Sequence, residues 1–393
     1  MTDDVIVVGA RCAGAPTAML LARQGHRVLL VDRARFPSDT VSTHLLHQPG
    51  VAALARWGLL DRLVATGCPP IDTYRFDFGP VVLEGAPGVA YGPRRTVLDA
   101  LLVDAAAEAG AEVRQGFSVE EIVVEDGRVT GIRGGGGRTE RAPVVVGADG
   151  RHSLVARAVR PEEYHTKPPL LAGYYAYWSG LPMDGRFETY IREDRGFSAW
   201  PTHDGRTIVV GGWPYAEFEA NKADVAGNFL AMLEQAPPFA ARVRAGTRQT
   251  RFAGAAVPNY FRTPYGPGWA LVGDAGYNRD FITAQGMQDA FLDAELVAGA
   301  LHDVLRGTRE FGPAMAAYRS ARDSRVLAMY EFTTELATLQ PPSPELAGLL
   351  GAMPGDRAAM DGFTRVAAGV TSPAEFFAPP NVERILGGGR KTG

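Results

Sequence analysis

Two cysteines in 393 residues, Cys12 and Cys68, are too few for a disulfide framework or a zinc site, and they fit a reducing compartment. Lysine is almost as scarce. It stands only at Lys167, Lys222 and Lys391, and the other basic residues are mostly scattered arginines. With a net charge of −4, the chain has no electrostatic footprint for nucleic acid. No apolar run reaches about 18 residues without a charge or a glycine, so no membrane-spanning helix is expected. No basic and apolar leader precedes the strand that begins at Val5, and the expectation is a cytoplasmic protein. No metal site and no internal repeat is expected either. An apolar fraction of 46% and a charged fraction of 21% are those of an ordinary globular chain. The length allows two domains, or one large α/β domain with insertions.

The most informative stretch is the first. Val5-Ile6-Val7-Val8 is an apolar, β-branched run of strand length, and Gly9-Ala10-Arg11-Cys12-Ala13-Gly14 follows it directly. Ala15 to Gln24 reads as a helix that stops at Gly25, and Val28 to Val31 makes a second buried strand that closes on Asp32. Strand, glycine turn, helix, strand and acid in this order make a dinucleotide site. Gly9 allows the tight turn, Gly14 lets helix and strand approach, and the free N–H groups of the helix hold a pyrophosphate. Asp32 is placed to accept hydrogen bonds from an adenosine ribose. The middle glycine of the GxGxxG pattern is Arg11 here; its side chain either crowds the pyrophosphate or adds charge to it. The bland alternative is a βαβ unit whose glycines serve packing alone.

Beyond Asp32, Arg33 and Arg35 suit a cofactor phosphate, a nicotinamide nucleotide or a solvated loop. Ser42, Thr43 and His44 form a compact polar set before a helical pattern from Leu45 to Leu63. Ile71 to Val89 reads as strands, and Leu98 to Ala109 as an amphipathic helix. Arg95 sits in that helix's first turn, where a basic residue opposes the dipole unless a phosphate is bound there. Short strands follow to Arg133, and Pro143 to Gly147 is a buried strand that delivers Asp149 at its carboxyl end, the edge where open α/β sheets bind ligands. From about Leu170 the strands become longer and aromatic: Ala172–Ser179, Arg186–Arg192, Gly196–Pro201 and Arg206–Trp213. They read as an inserted antiparallel sheet with a helix from Asp224 to Glu234. A third apolar strand then ends in Gly273-Asp274. Gln285-Gly286-Met287 opens a long helix through Leu305, and a second helix runs from Gly312 to Ala337.

Gly9/Gly14, Asp149-Gly150 and Gly273-Asp274, carried on three separate strand ends, resemble the group A FAD-dependent flavoprotein monooxygenases. This p-hydroxybenzoate hydroxylase-like fold also includes geranylgeranyl reductases and flavin halogenases. The resemblance is close to about Leu305 and looser beyond. It implies an α/β fold: a discontinuous Rossmann-like FAD-binding domain (1–70, 91–160 and 255–310), an antiparallel-sheet substrate domain (71–90 and 161–254) and a C-terminal helical cap (311–393). It also implies that Asp32 holds the AMP ribose, that Arg95 contacts the FAD phosphates or ribityl, and that Asp274 hydrogen-bonds the ribityl chain. Gly286 and Met287 would present N–H groups to the flavin ring. Ala10, Arg11, Ala15, Arg33, Thr43, Val119, Asp149, Gly273 and Gln285 complete the expected cofactor set. The family pattern GDAAHxxxPxxGQGxN departs here at Tyr277 for histidine, Phe281 for proline and Ala284 for glycine.

The activity implied is hydroxylation of an aromatic or polyketide-like small molecule, with FAD, NAD(P)H and O2, through a flavin C4a-hydroperoxide and in secondary metabolism. His44 is the candidate base and Phe281 a second candidate at the reacting edge. Tyr175, Tyr177, Tyr190, Arg192, Phe197 and Trp200 are candidates for the substrate pocket. A flavin-dependent reductase of C=C bonds is the first rival, and a flavin-fold protein without redox chemistry is another. A halogenase needs a lysine near the start and a WxWxIP stretch, and the chain has neither. A separate flavin reductase as electron donor stays open.

Overall fold

The β-branched runs of the sequence become the central strands of a six-stranded sheet in the computed structural model, which describes residues 3–388. Its order is Tyr265–Gly266, Trp269–Leu271, Val144–Gly147, Val5–Val8, Val28–Asp32 and Glu112–Gln115. All neighbours are parallel except the first pair. Val5–Val8 and Val144–Gly147 are buried at every position, as expected of parallel strands covered on both faces. The helices Gly14–Arg23, Arg95–Glu108 and Gly286–Leu305 share one core with Val5, Val7, Leu30 and Val146. On the other face Ile122, Val129 and Ile132, from a three-stranded antiparallel sheet, pack on Ile6, Val8, Leu29 and Val31. The carboxyl ends of Val5–Val8, Val28–Asp32 and Val144–Gly147 thus open along one edge.

A second, eight-stranded sheet is built around Leu171–Ser179, Thr207–Pro214, Arg195–Pro201 and Arg186–Arg192. It is antiparallel except at one joint: Arg186–Arg192 runs parallel to Thr73–Asp77, which pairs in turn with Val82–Gly85. That parallel joint, absent from a purely antiparallel reading, follows from the sheet recruiting strands from two distant parts of the chain. One face packs Phe197, Val209 and Trp178 against the helices Val225–Leu233 and Pro237–Ala245. The opposite face packs Tyr74, Phe187 and Trp200 against the C-terminal helices, among them Arg357–Ala367. Phe311–Leu336 lies along Gly286–Leu305 and ties these layers to the first sheet. Among the described residues no helix is long and apolar enough to cross a membrane.

Local differences from the sequence reading have local causes. The helix expected over Leu45–Leu63 is two helices, Gln48–Arg56 and Leu60–Ala65, parted at Gly58 with φ +73°. The helix expected from Leu98 begins at Arg95, so Arg95 lies at its very entrance.

The first helix lies so close to the first strand that a side chain has no room there. A Cβ on Gly14 would stand 1.8 Å from the Gly9 carbonyl oxygen, whereas one on Gly299 meets nothing within 4 Å. Gly14→Ala is therefore expected to destabilise the fold by about 1–3 kcal/mol through overpacking. Gly299→Ala, in the exposed middle of a helix, should be neutral or stabilising by up to about 1 kcal/mol. Chemical denaturation of both variants checks the contrast.

Candidate active site

Two hollows meet at the open edge of the first sheet. One is a cleft of about 820 Å3 that starts at Asp32 and Arg33, passes Gly9, Arg11, Val119 and Asp149, and reaches Arg95, Asp274, Gly286 and Met287. The other is a smaller chamber of about 170 Å3 between the two sheets, walled by Thr43, Tyr175, Gly273, Asp280 and Phe281. Arg95, Arg151, Asp274, Gly286, Met287 and Ala290 line both, so the hollows adjoin along this wall.

The cleft suits a dinucleotide at several points. Gly9 takes φ +101°, and a Cβ on it would come within 2.5 Å of the Ala148 oxygen. Asp32 accepts hydrogen bonds from the N–H groups of Ala10 and Ala34, both at 2.7 Å. These fix its carboxylate at the strand end. The helix Gly14–Arg23 starts with no side-chain cap. In its first turn Ala15 and Thr17 donate to the Arg11 and Ala13 carbonyls at 3.0 and 3.2 Å, and Pro16 has no N–H. What the cleft meets is therefore the backbone of the turn Arg11–Ala13 and the positive end of the helix dipole. Phosphates at this point and a ribose on Asp32 match these donors and acceptors, so the residues present fit FAD.

Arg11, at the position of the missing glycine, is turned away from the turn it sits in. Its guanidinium pairs with Asp99 and donates to the Ser38 carbonyl at 3.2 Å and to the Ser38 hydroxyl at 3.1 Å. Asp99 is fully buried and also accepts from Arg95 Nε at 2.9 Å, one helical turn away. One buried carboxylate thus orders two arginines at the cleft wall. Sequence reasoning passed over Asp99; the signal was its i,i+4 spacing from Arg95.

Other expected cofactor residues serve the frame. Ala10, Gly14 and Ala15 are buried in helix–strand packing. Gln285 points away from the cleft: its Oε1 accepts from Arg279 and its Nε2 donates to the Ala367 carbonyl at 3.0 Å. Asp149 lines the cleft, yet one carboxylate oxygen caps the helix Leu154–Val159 through the Leu154 N–H at 2.6 Å. Gly273 has φ +60° and gives room to Ala13, 2.8 Å from where its Cβ would be.

The expected substrate set divides between the two faces of the second sheet. Tyr175 lines the chamber. Tyr190 and Phe197 do not. They stack on each other at 5.1 Å, and both stack on Phe239 across the far face. Arg192 is committed to Asp77, donating to its Oδ1 at 2.9 Å and its carbonyl at 2.7 Å. Trp200, three residues from Phe197, faces the near side, but it lies behind the wall and donates its indole N–H to the His44 carbonyl at 3.2 Å. Tyr177 is buried in the same layer, edge-on to His44 at 5.8 Å. Strand alternation separates residues that the aromatic composition alone lumped together.

His44, the expected base, is fully buried and is not on the chamber wall. Its backbone takes φ +49°, a region histidine tolerates better than most residues. Nε2 lies 3.2 Å from the Tyr175 hydroxyl. Burial first, and then the Arg95 charge, lower its pKa from 6.5 to about 3, so at neutral pH it is an uncharged support for Tyr175. His47, one helix entrance further on, bridges the Tyr74 hydroxyl at 2.6 Å and the Thr283 carbonyl at 3.1 Å, which anchors the turn that carries Phe281.

Phe281 does line the chamber, has no titratable group for acid–base work, and fits against Gly173, where a Cβ would come within 2.5 Å of its ring. Gly173 is a second feature that sequence reasoning missed; its signal was a glycine inside an aromatic strand. Ala284 holds φ +53° where the family pattern has glycine, a conformation that costs a residue with a Cβ about 1 kcal/mol. Tyr277, at the family's histidine, is packed on Phe261 and Tyr330 with ring centroids 4.6 and 6.2 Å away.

Known proteins share this outline. The sequence matches the family described as FAD binding domain over residues 2–333. The protein FixC of Salmonella typhi is 33% identical over 168 residues, which cover 39% of this chain and 38% of that protein. The chain therefore spans under two fifths of FixC in that match. Phenazine 1,6-dicarboxylic acid hydroxylase PhzS of Lysobacter antibioticus is 27% identical over 404 residues, covering 89% of this chain and 95% of that protein. Among solved structures, the flavin-dependent brominase Bmp2 has a TM-score of 0.84 at 18% identity over 98% of both chains, a likeness of fold.

Two outcomes are expected. Asp99→Ala leaves two guanidinium groups without their shared partner and should cost roughly 3 kcal/mol of stability, measured by denaturant unfolding. His44 works in the acid limb. The unfolded chain takes up a proton near pH 6.5 and the folded chain not until about pH 3, so acidification between these values favours unfolding. Relative to His44→Gln, the wild type should lose up to about 1.4 kcal/mol per pH unit across that window, read from denaturation at pH 6.5, 5.5 and 4.5.

Proposed function

The chain belongs to the FAD-binding-domain family, that of the group A flavoprotein monooxygenases, and from that premise we propose that it hydroxylates an aromatic small molecule with NAD(P)H and O2. The observation that carries this reading is the shared wall of the dinucleotide cleft and a separate chamber under the aromatic sheet. Bound FAD supplies the redox chemistry, taking two electrons from NAD(P)H and delivering them to O2. One oxygen atom enters a C–H bond of the substrate, the other leaves as water, and one NAD(P)H and one proton are consumed.

The chain's own residues have distinct tasks in this reading. Asp32 binds the adenosine ribose and the first helix the pyrophosphate, while Arg95, held by Asp99, and Asp274 face the middle of the cofactor. The exposed backbone of Gly286, at the start of a 20-residue helix, offers N–H groups and a positive dipole end to the ring, which favours the negative charge that reduction brings. Tyr175, Phe281, Met287 and Val210 give the chamber apolar walls that keep water from the reacting atoms. That PhzS is a hydroxylase of phenazine 1,6-dicarboxylic acid, an aromatic compound, supports an aromatic or polyketide-like substrate. Lysine chemistry of the halogenase kind finds no support. Lys167 is tied to Glu331 and Thr334, Lys222 is tied to Glu219, and neither lines a hollow. Lys391 lies outside the described residues.

The purified protein should be yellow, oxidise NAD(P)H under air without a separate reductase, and release H2O2 when no substrate is present. Asp274→Ala should weaken FAD binding tenfold or more, about 1.4 kcal/mol, read by flavin fluorescence. A protein reduced by NAD(P)H but slow to react with oxygen would favour the C=C reductase instead. A requirement for an added flavin reductase would change the electron donor alone, and a protein that binds no FAD would end the redox reading.

A further inference from the structure

The segment from Tyr277 to Asp280 forms one wall of the chamber, and three of its four side chains keep a buried polar atom without a partner among the described residues. These atoms are the Tyr277 hydroxyl, Nε and Nη1 of Arg279, and Oδ2 of Asp280. Buried polar atoms without partners are rare, and an unmade hydrogen bond costs about 1–3 kcal/mol. A cluster of them on the wall of a hollow is the mark of a ligand that completes it. Arg279 is largely committed already, because Nη2 donates to Gln285 Oε1 and Asp289 Oδ2, both at 2.7 Å. Tyr277 is held in an aromatic core.

Asp280 is different. Its Oδ1 accepts from the Ile282 N–H at 3.0 Å and caps the short turn Phe281–Thr283, and its own N–H donates to Asn259 Oδ1 at 2.6 Å. This holds the carboxyl and leaves Oδ2 with no hydrogen bond of normal geometry, although the Leu171 and Phe281 N–H groups lie close enough to the carboxyl to favour its ionised form. No arginine or lysine pairs with it among the described residues.

We propose that Asp280 is a catalytic residue that accepts the proton of a phenolic hydroxyl on the substrate. The proposal rests on the monooxygenase reading above. The O–H bond breaks, its proton passes to Oδ2 of the ionised carboxylate, and the electron pair left on oxygen spreads into the ring. The ortho and para carbons then become better nucleophiles toward the oxygen atom derived from O2, with electrons supplied by NAD(P)H. The attacked ring carbon afterwards loses its hydrogen as a proton to water, and Asp280 returns its own proton to the phenolic oxygen.

The environment of the carboxyl suits this task. Burial pushes its pKa up to about 7, while the backbone N–H groups of Ile282, Leu171 and Phe281 pull the other way. No charged side chain contributes. The Asn259 amide oxygen holds its backbone N–H. The other charged or titratable residues that line the chamber are Arg95, Arg151, Tyr174, Tyr175, Asp274, Tyr277, Arg279 and Asp289, of which Asp274 is itself pushed up to about 6 by desolvation. A base poised near neutrality combines the correct protonation state with a useful driving force.

The test uses FAD-loaded full-length protein, wild type and Asp280→Asn, with 4-nitrophenol as the probe and flavin fluorescence as the readout of binding from pH 6 to pH 9. Asparagine keeps the turn cap and removes the proton acceptor. If Asp280 accepts the phenolic proton, the wild-type complex holds one proton between two acids. Affinity then falls tenfold or more between pH 7 and pH 9, while in Asp280→Asn it stays within threefold or tightens as the probe ionises. Parallel profiles in the two proteins, or no binding of 4-nitrophenol by the wild type, overturn the proposal. Should Asp280→Asn not fold, the wild-type profile alone decides, since a flat profile is incompatible with the shared proton. FAD content and NAD(P)H oxidation, measured on the same samples, separate the two levels. Loss of FAD binding in the wild type, or of NAD(P)H oxidation even with an added flavin reductase, fells the monooxygenase reading, whereas intact oxidation with parallel binding profiles fells Asp280 alone.

Discussion

The approach of the first helix to the first strand sets the geometry of everything around it. Gly14 stands where a methyl group would overlap the Gly9 carbonyl, and Gly9 stands where one would overlap Ala148 on the neighbouring strand. With no side chain between them, the backbone of the turn comes to the carboxyl edge of the sheet. There the turn Arg11–Ala13 at the positive end of the helix, the Asp32 carboxylate and the Asp149 loop share one cleft. Parallel strands buried on both faces make that edge rigid, and the cleft inherits the rigidity.

A large side chain in the glycine turn is tolerated because the fold finds a place for its charge. Arg11 would crowd a pyrophosphate if it pointed inward. Instead Asp99, buried on the facing helix, draws it sideways and holds Arg95 at the same time. Arg95 sits in the first turn of its helix, the wrong end for a cation by dipole alone, and Asp99 four residues on compensates it. The carboxylate clamps both arginines; a neutral residue at position 99 would leave buried Arg95 without its ion-pair partner and Arg11 with only Ser38 and Asp39 to donate to.

The chamber depends on a different device, a sheet with two unlike faces. Tyr175 and Gly173 turn one face toward the cleft. Glycine there makes room for Phe281, and the small hollow that remains is bounded by the segment that follows Asp274. Behind this wall, Trp200, His44 and Tyr177 form a second layer whose hydrogen bonds end on Tyr175 and the His44 carbonyl. Tyr190, Phe197 and Phe239 fill the far face with stacked rings and have no path to the chamber.

The sequence by itself determined the nucleotide-binding unit. Val5–Val8, the glycine turn, the first helix and Asp32 are contiguous, and the pairing of Val5–Val8 with Val28–Val31 and the Asp32 bond to Ala10 close within some thirty residues, so spacing is enough to read them. The order of the three strand ends was legible for the same reason. What tertiary structure decided is every role that rests on facing: that Asp99 answers Arg11, 88 residues away, that Gly173 admits Phe281, that His44 is sealed behind Tyr175, and that Asp280, with one buried oxygen unpaired, falls on the chamber wall. Composition marks such residues as aromatic, basic or acidic. Which side of a strand each one takes, and which distant partner satisfies it, is fixed only when the two sheets close on each other.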